Sequence, residues 1–276
     1  MTATTDNTHG NPTRSTRLVM RISQHSLHFA QQHADDAGTP LNFQPYNVKG
    51  AMSMAANLRE AFKTVELFES KYRKVVVMVD APFLVVPLDL YVEGEASMIY
   101  SHSYPDLANM KLMTNVVADL NVVALYGIHK DLHTVITDRY DDAIFFNAST
   151  PVWRHLFQRN FLGTKGKLYA YCHDQKLELM SYGQNRFKYC NSFATANAHD
   201  VLYFTLNVWQ QLAMDAKHDE LHLVGDIPEH QWLESELKAY VARVYTVNPS
   251  SDFNRSPIAQ MKGMPYDLMT YFIKGR

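Results

Sequence analysis

The sequence predicts an α/β protein of two similar halves, each a mixed sheet of the five-stranded type with flanking helices. Three observations predict it. The order strand, strand, strand, helix, strand occurs twice, at Arg17 to Val79 and again at Lys167 to Val224. Segments such as Lys74 to Val79 (KVVVMV) are near-continuous β-branched runs, the pattern of a strand covered on both faces. The length of 276 residues, with 46% hydrophobic and 12% aromatic residues, suits two ordinary cores better than one.

Residues 1 to 16 are rich in Thr, Asn and Gly without an apolar stretch, and are expected to form a disordered tail rather than a signal peptide. Residues 17 to 150 make the first half. Arg17 to Ser23 and Leu27 to Gln32 are strands around a Gln24-His25-Ser26 turn, and a third strand near Leu41 to Tyr46 follows the turn signal Gly38-Thr39-Pro40. A helix is expected from Ala51 to Tyr72, because Met54, Leu58, Ala61, Phe62, Val65, Phe68 and Tyr72 recur at steps of three and four. After the strand at Lys74 to Val79, Phe83 to Thr150 is less regular, and Leu107 to Leu120 is ambiguous. Asn121 to Tyr126 is a buried strand, His129 to Tyr140 a short helix and Ala143 to Asn147 a further strand.

Residues 151 to 166 form a connecting helix, favoured by Pro151 in its first turn, and a joint at Gly163-Thr164-Lys165-Gly166. Residues 167 to 276 make the second half. Strands at Lys167 to Cys172, Lys176 to Tyr182 and Arg186 to Phe193 are linked by the turns His173-Asp174-Gln175 and Gly183-Gln184-Asn185. A helix from Ala198 to Asp215, strands at Glu220 to Val224 and Val244 to Val247, and a helix from Glu229 to Val241 follow. Tyr266 to Ile273 is apolar enough to dock on the core. In each half the strand after the helical crossover should run parallel to the first strand.

Composition narrows the function classes. Twenty-six Lys and Arg stand against 28 Asp and Glu, so no basic footprint for nucleic acid exists. Val75 to Leu88 is interrupted by Asp80 and Pro82 and is too short to span a bilayer, so no direct membrane insertion is expected and the expected address is cytoplasmic. Two cysteines, Cys172 and Cys190, do not make a disulfide scaffold. They fall on the first and third strands of one meander, about 9–10 Å apart, beyond the roughly 7 Å limit for a bridge. Free thiols are expected.

Val86-Pro87-Leu88-Asp89-Leu90-Tyr91, Asn121 to His133 (NVVALYGIHKDLH), and Tyr189 through Asp226-Ile227 carry a likeness. On them the chain resembles a bacterial family of unknown function with an actin-like ATPase fold, two ribonuclease H-like halves facing a cleft. The likeness spans about Arg17 to Val247. Such ATPases hold phosphates on the first turn of each half, typically Asp-x-Gly followed by Ser or Thr, and adenosine on a later glycine turn. Carried over, these places are Ser23 and Gln24, Asp174, and Gly225 with Asp226. The first turn has neither Asp nor Gly and the second has Asp without Gly, so ATP hydrolysis is not expected. A nuclease on this fold would need a carboxylate on the first strand, and Arg17 to Ser23 has none.

No metal site is expected. His129 and His133 are four apart on an expected helix but lack the intervening Glu of a zinc-protease motif, and His25, His28 and His33 surround a turn. Gly163-Thr164-Lys165-Gly166-Lys167 lacks P-loop spacing. Tyr203, Phe204, Trp209 and Trp232 fit core packing. The leading reading is therefore a non-catalytic actin-like module, without a cofactor, that acts by binding another protein. One alternative is a divergent nucleotide-binding protein that takes ATP with magnesium at Asp174, Gly225 and Asp226. The other is an adapter of a membrane-associated assembly. A homo-oligomer is open.

Overall fold

The computed structural model describes residues 16–33, 41–160, 165–183 and 186–274. The expected tail to residue 15, the Gly38-Thr39-Pro40 turn, Gly163 and Thr164 of the joint, and the Gln184-Asn185 turn lie outside the described residues. Thr16, expected in the tail, instead begins the first strand.

The first half opens with an antiparallel meander of β1 (Thr16–Ile22), β2 (Leu27–His33) and β3 (Asn42–Tyr46). Pro45 is tolerated in β3 because that strand is a sheet edge. Helix α1 (Met54–Thr64) starts at Ser53, whose hydroxyl accepts from Ala56 N at 3.2 Å. It stops earlier than the periodicity suggests. Val65, β-branched and buried, is extended, and a 3₁₀ turn at Glu66–Glu69 then turns Leu67 and Phe68 into the core. β4 (Lys74–Val79) returns parallel to β1.

The irregular stretch is an inserted antiparallel sheet. β5 (Phe83–Pro87), α2 (Ala96–Ser103), β6 (Met110–Val117) and β7 (Val122–His129) form it, with strand order β5-β7-β6. Tyr100 anchors α2 by donating to Pro82 O at 2.9 Å and accepting from Gly127 N at 3.1 Å. Helix α3 (Lys130–Thr137) and β8 (Ile144–Asn147) complete the half, and α4 (Thr150–Asn160) follows. His129 closes β7 with extended backbone, so it does not share a helix with His133 as the sequence suggested.

The second half repeats the plan with β9 (Lys167–His173), β10 (Lys176–Gly183), β11 (Arg186–Ala194), α5 (Ala198–Gln211) and β12 (Glu220–Gly225). Then come α6 (His230–Tyr240), β13 (Val244–Thr246), α7 (Pro249–Asp252) and α8 (Tyr266–Lys274). The main sheets have strand orders β3-β2-β1-β4-β8 and β11-β10-β9-β12-β13, which correspond position by position. β9 and β12 are parallel, as are β1 and β4. β10 separates Cys172 from Cys190, and both thiols are free. Trp209 is buried, but Tyr203, expected in the core, is 63% exposed, because it lies on the solvent face of α5.

The halves do not merely abut. Helix α4 lies on the second half, where Tyr182 donates to Trp153 O at 2.9 Å and the Trp153 and Phe187 rings sit 5.6 Å apart. Helix α8 lies on the first half, with Tyr271 5.6 Å from Phe146. One continuous core joins Met20, Val77, Trp153, Tyr171, Tyr182 and Leu268 across the boundary. A large apolar interface of this kind opposes relative motion of two domains.

Candidate functional site

The first turn of each half points at the other. Between β1 and β2, Ser23 N donates to Ser26 O at 3.0 Å. The Ser23 hydroxyl is engaged inside its own turn, accepting from Ser26 N at 3.0 Å and from His25 N at 3.3 Å. Between β9 and β10 the hairpin has only two loop residues, Asp174 and Gln175, and both take left-handed backbone with φ of 43° and 59°. Two-residue hairpins need such backbone to match the strand twist. That geometry aims the Asp174 carboxylate across the boundary.

Arg21 meets it. This side chain is 1% exposed and donates from Nη2 to Asp174 Oδ2 at 2.5 Å, from Nε to Asp267 at 2.7 and 2.8 Å, and from Nη1 to Ser26 Oγ at 3.1 Å. Burial pulls its pKa down, but the surrounding carboxylates outweigh that and raise it, so it stays charged. Burial pushes the Asp174 carboxyl up, and His173 and Arg21 more than reverse this, leaving it well below the usual carboxylate range. Ser23 Oγ, at 3.3 Å, is a further donor to Asp174.

A second tie lies deeper. Lys176 Nζ donates to Asp80 Oδ1 at 2.6 Å. His173 Nε2 lies 3.0 Å from Glu178 Oε1, and Glu178 also accepts from Ser149 Oγ at 2.5 Å and from Trp153 Nε1 at 3.2 Å. Burial lowers the His173 pKa, but the neighbouring carboxylates prevail and raise it to about 9. Its Nδ1 and Asp80 Oδ2 are both buried without a hydrogen-bond partner.

Above this floor opens a cavity of about 420 Å³, walled by Arg21, Ser26, Asp174, Gly225, Asp226 and Tyr266 among others. Three candidates from the sequence, Asp174, Gly225 and Asp226, therefore share one cavity. Ser23 is buried behind it, and Gln24 is exposed on its turn and does not line it. Gly225 has φ of +84°, and a Cβ there would stand 2.3 Å from Cys172 O. Close strand approach alone thus requires glycine at this position.

A family described as "Protein of unknown function (DUF3822)" matches residues 6–244. The chain belongs to this family. Among solved structures it is similar to a Bacteroides thetaiotaomicron VPI-5482 protein of actin-like ATPase fold and unknown function. That likeness has 27% identity and a TM-score of 0.80 and covers 93% of this chain and 96% of the other. It is also similar to a structure of the PilM-PilN type IV pilus biogenesis complex at 11% identity and a TM-score of 0.51, covering 95% and 97% of the two chains. No curated protein matches. The DUF3822 chain thus has the actin-like ATPase fold that the sequence resemblance implied.

That fold family implies a magnesium nucleotide between the two turns, and the residues present do not fit one. The first turn has committed its serine hydroxyl, and Asp174 is held by Arg21. An incoming phosphate would meet an Asp174 already paired with Arg21 and a Ser23 hydroxyl already used inside its turn. Arg21, Asp80, His173, Lys176 and Glu178 went unnoticed in the sequence. One signal could have found Asp80. It follows β4 as Asp226 follows β12, so the repeat makes the two equivalent.

Proposed function

We propose that this DUF3822 protein is a non-catalytic module that recognises another protein, on an actin-like frame whose two first turns are tied to each other. The carrying observation is Arg21, which bridges Asp174 of one half and Asp267 of α8 in a buried position. The core shared by both halves supports the same reading, because nucleotide-driven closure needs halves that move. A groove between two sheet edges supports the partner reading. β5 and β11 are both sheet edges, and a groove of about 660 Å³ between them is lined by Val85 and Pro87 on one side and Arg186, Phe187, Lys188 and Tyr189 on the other. Edge strands offer unpaired backbone groups to an extended segment. Exposed Arg186 and Lys188 outweigh the exposed Asp89 that also lines the groove and make an acidic segment the complementary one. A structure of the PilM-PilN type IV pilus biogenesis complex shares the fold, which is consistent with the reading.

A photo-crosslinking residue at Lys188, introduced in the native cell, is expected to capture one defined protein through an acidic segment. The same probe at exposed Ser235 on α6 should not capture it. Equal capture at both positions, or MgATP hydrolysis by the purified chain at an ordinary rate of about 1–10 s⁻¹, contradicts the reading.

A further inference from the structure

We infer that Asp80, His173 and Asp174 form a site for a divalent transition-metal ion, held by the protein without any nucleotide. The inference does not depend on the partner-binding reading. One ligand atom from each residue lies within 4.8 Å of the other two. His173 Nδ1 is 3.9 Å from Asp80 Oδ2 and 3.8 Å from Asp174 Oδ2. Metal–ligand bonds of about 2.0–2.1 Å put neighbouring ligands of a tetrahedral ion about 3.3 Å apart, so modest side-chain rotations close the set.

Two independent observations point to a ligand here. First, Asp80 Oδ2 and His173 Nδ1 face each other unpartnered, on side chains 2% and 7% exposed. Leaving buried polar atoms unpaired is costly, and an ion between them would satisfy both. A proton on Nδ1 would not, since 3.8–3.9 Å is too long for a hydrogen bond to either carboxylate. Second, each ligand already has the outer partner that metal sites use. His173 offers Nε2 to Glu178, Asp80 keeps Oδ1 on Lys176, and Asp174 is fixed by Arg21. A carboxylate behind a histidine sets the tautomer that leaves the opposite nitrogen free to ligate. Tyr171 stacks on the imidazole, with centroids 4.3 Å apart and an 18° tilt, which fixes the ring plane.

Charge agrees with geometry. The carboxylates of Asp80, Asp174, Glu178 and Asp267 face the permanent cations Arg21 and Lys176, so once the His173 proton is displaced, as metal binding requires, two negative charges remain. One dication balances them. One imidazole with two carboxylates suits the zinc, iron(II) and manganese class rather than calcium. Three protein ligands leave a further position, and the cavity wall formed by His173 and Asp174 opens it to small molecules.

The test is equilibrium dialysis of chelator-treated full chain against zinc(II), with metal content read by mass spectrometry. About one zinc per chain is expected. His173→Gln and Asp80→Asn should abolish binding, Glu178→Gln should weaken it by about 10–100-fold, and Asp226→Asn in the same cavity should leave it unchanged. Should the ligand variants fail to fold, pulsed electron spin resonance of copper(II) bound to the wild-type chain decides. Coupling to a single imidazole nitrogen that shifts with ¹⁵N-histidine supports the site. No stoichiometric zinc, zinc retained equally by the variants, or no nitrogen coupling overturns it.

Discussion

The corner after β4 and the corner after β12 share a backbone and differ in everything the side chains do. Asp80 N donates to Ile22 O, and Asp226 N donates to Cys172 O, both at 2.8 Å, so each aspartate leaves its strand against the end of the first strand of its half. Asp80 is 5% exposed and held by Lys176. Asp226 is exposed at the rim of the cavity. The repeat therefore fixes where a carboxylate can stand. Burial and a cation on the facing half decide whether it becomes floor or rim.

The comparison breaks first at its strongest tie. Arg21→Met should cost about 3–5 kcal/mol, because it leaves buried Asp267 and half-buried Asp174 without their cation. A urea midpoint near that of wild type would show that the tie holds nothing. Next, Asp80→Ala should cost about 3 kcal/mol by stranding Lys176, whereas Asp226→Ala should stay within about 0.5 kcal/mol. Equal losses on denaturation would erase the distinction between floor and rim.

Acid sharpens the same contrast. His28 stacks on Phe43, and burial, assisted by the Arg21 charge, lowers its pKa to about 4. A base depressed in the folded state binds fewer protons there than when unfolded. Its stabilising effect is therefore complete above about pH 6.5 and is lost as pH falls toward 4, about 3 kcal/mol in all. Chemical denaturation between pH 6.5 and 4 should show this slope in wild type and a shallower one in His28→Leu. Identical slopes would remove His28 from the account.

Much of the frame was legible in the residues, and the limits have physical causes. β4 announced itself because both faces are covered, so no polar residue interrupts KVVVMV. β6 did not, because its burial alternates irregularly between half-buried and exposed positions, and α2 spans only eight residues. Asp174, Gly225 and Asp226 were singled out because the family resemblance points at turns, and they line one cavity. Arg21 was invisible for the opposite reason. A single arginine on a strand has no pattern, and its partners lie 153 and 246 positions away. His173 and Glu178 likewise gain meaning only when the halves close on each other.

The measurement that bears most directly on the tied turns is the melting temperature of the purified chain with and without millimolar MgATP. A ligand that binds only the folded state must raise it, by about 2.7 kcal/mol of stabilisation at a hundredfold excess over its dissociation constant. With Arg21 seated between Asp174 and Asp267, no shift is expected. A rise of several degrees, abolished by Asp174→Asn, would contradict it and return the cleft to a nucleotide.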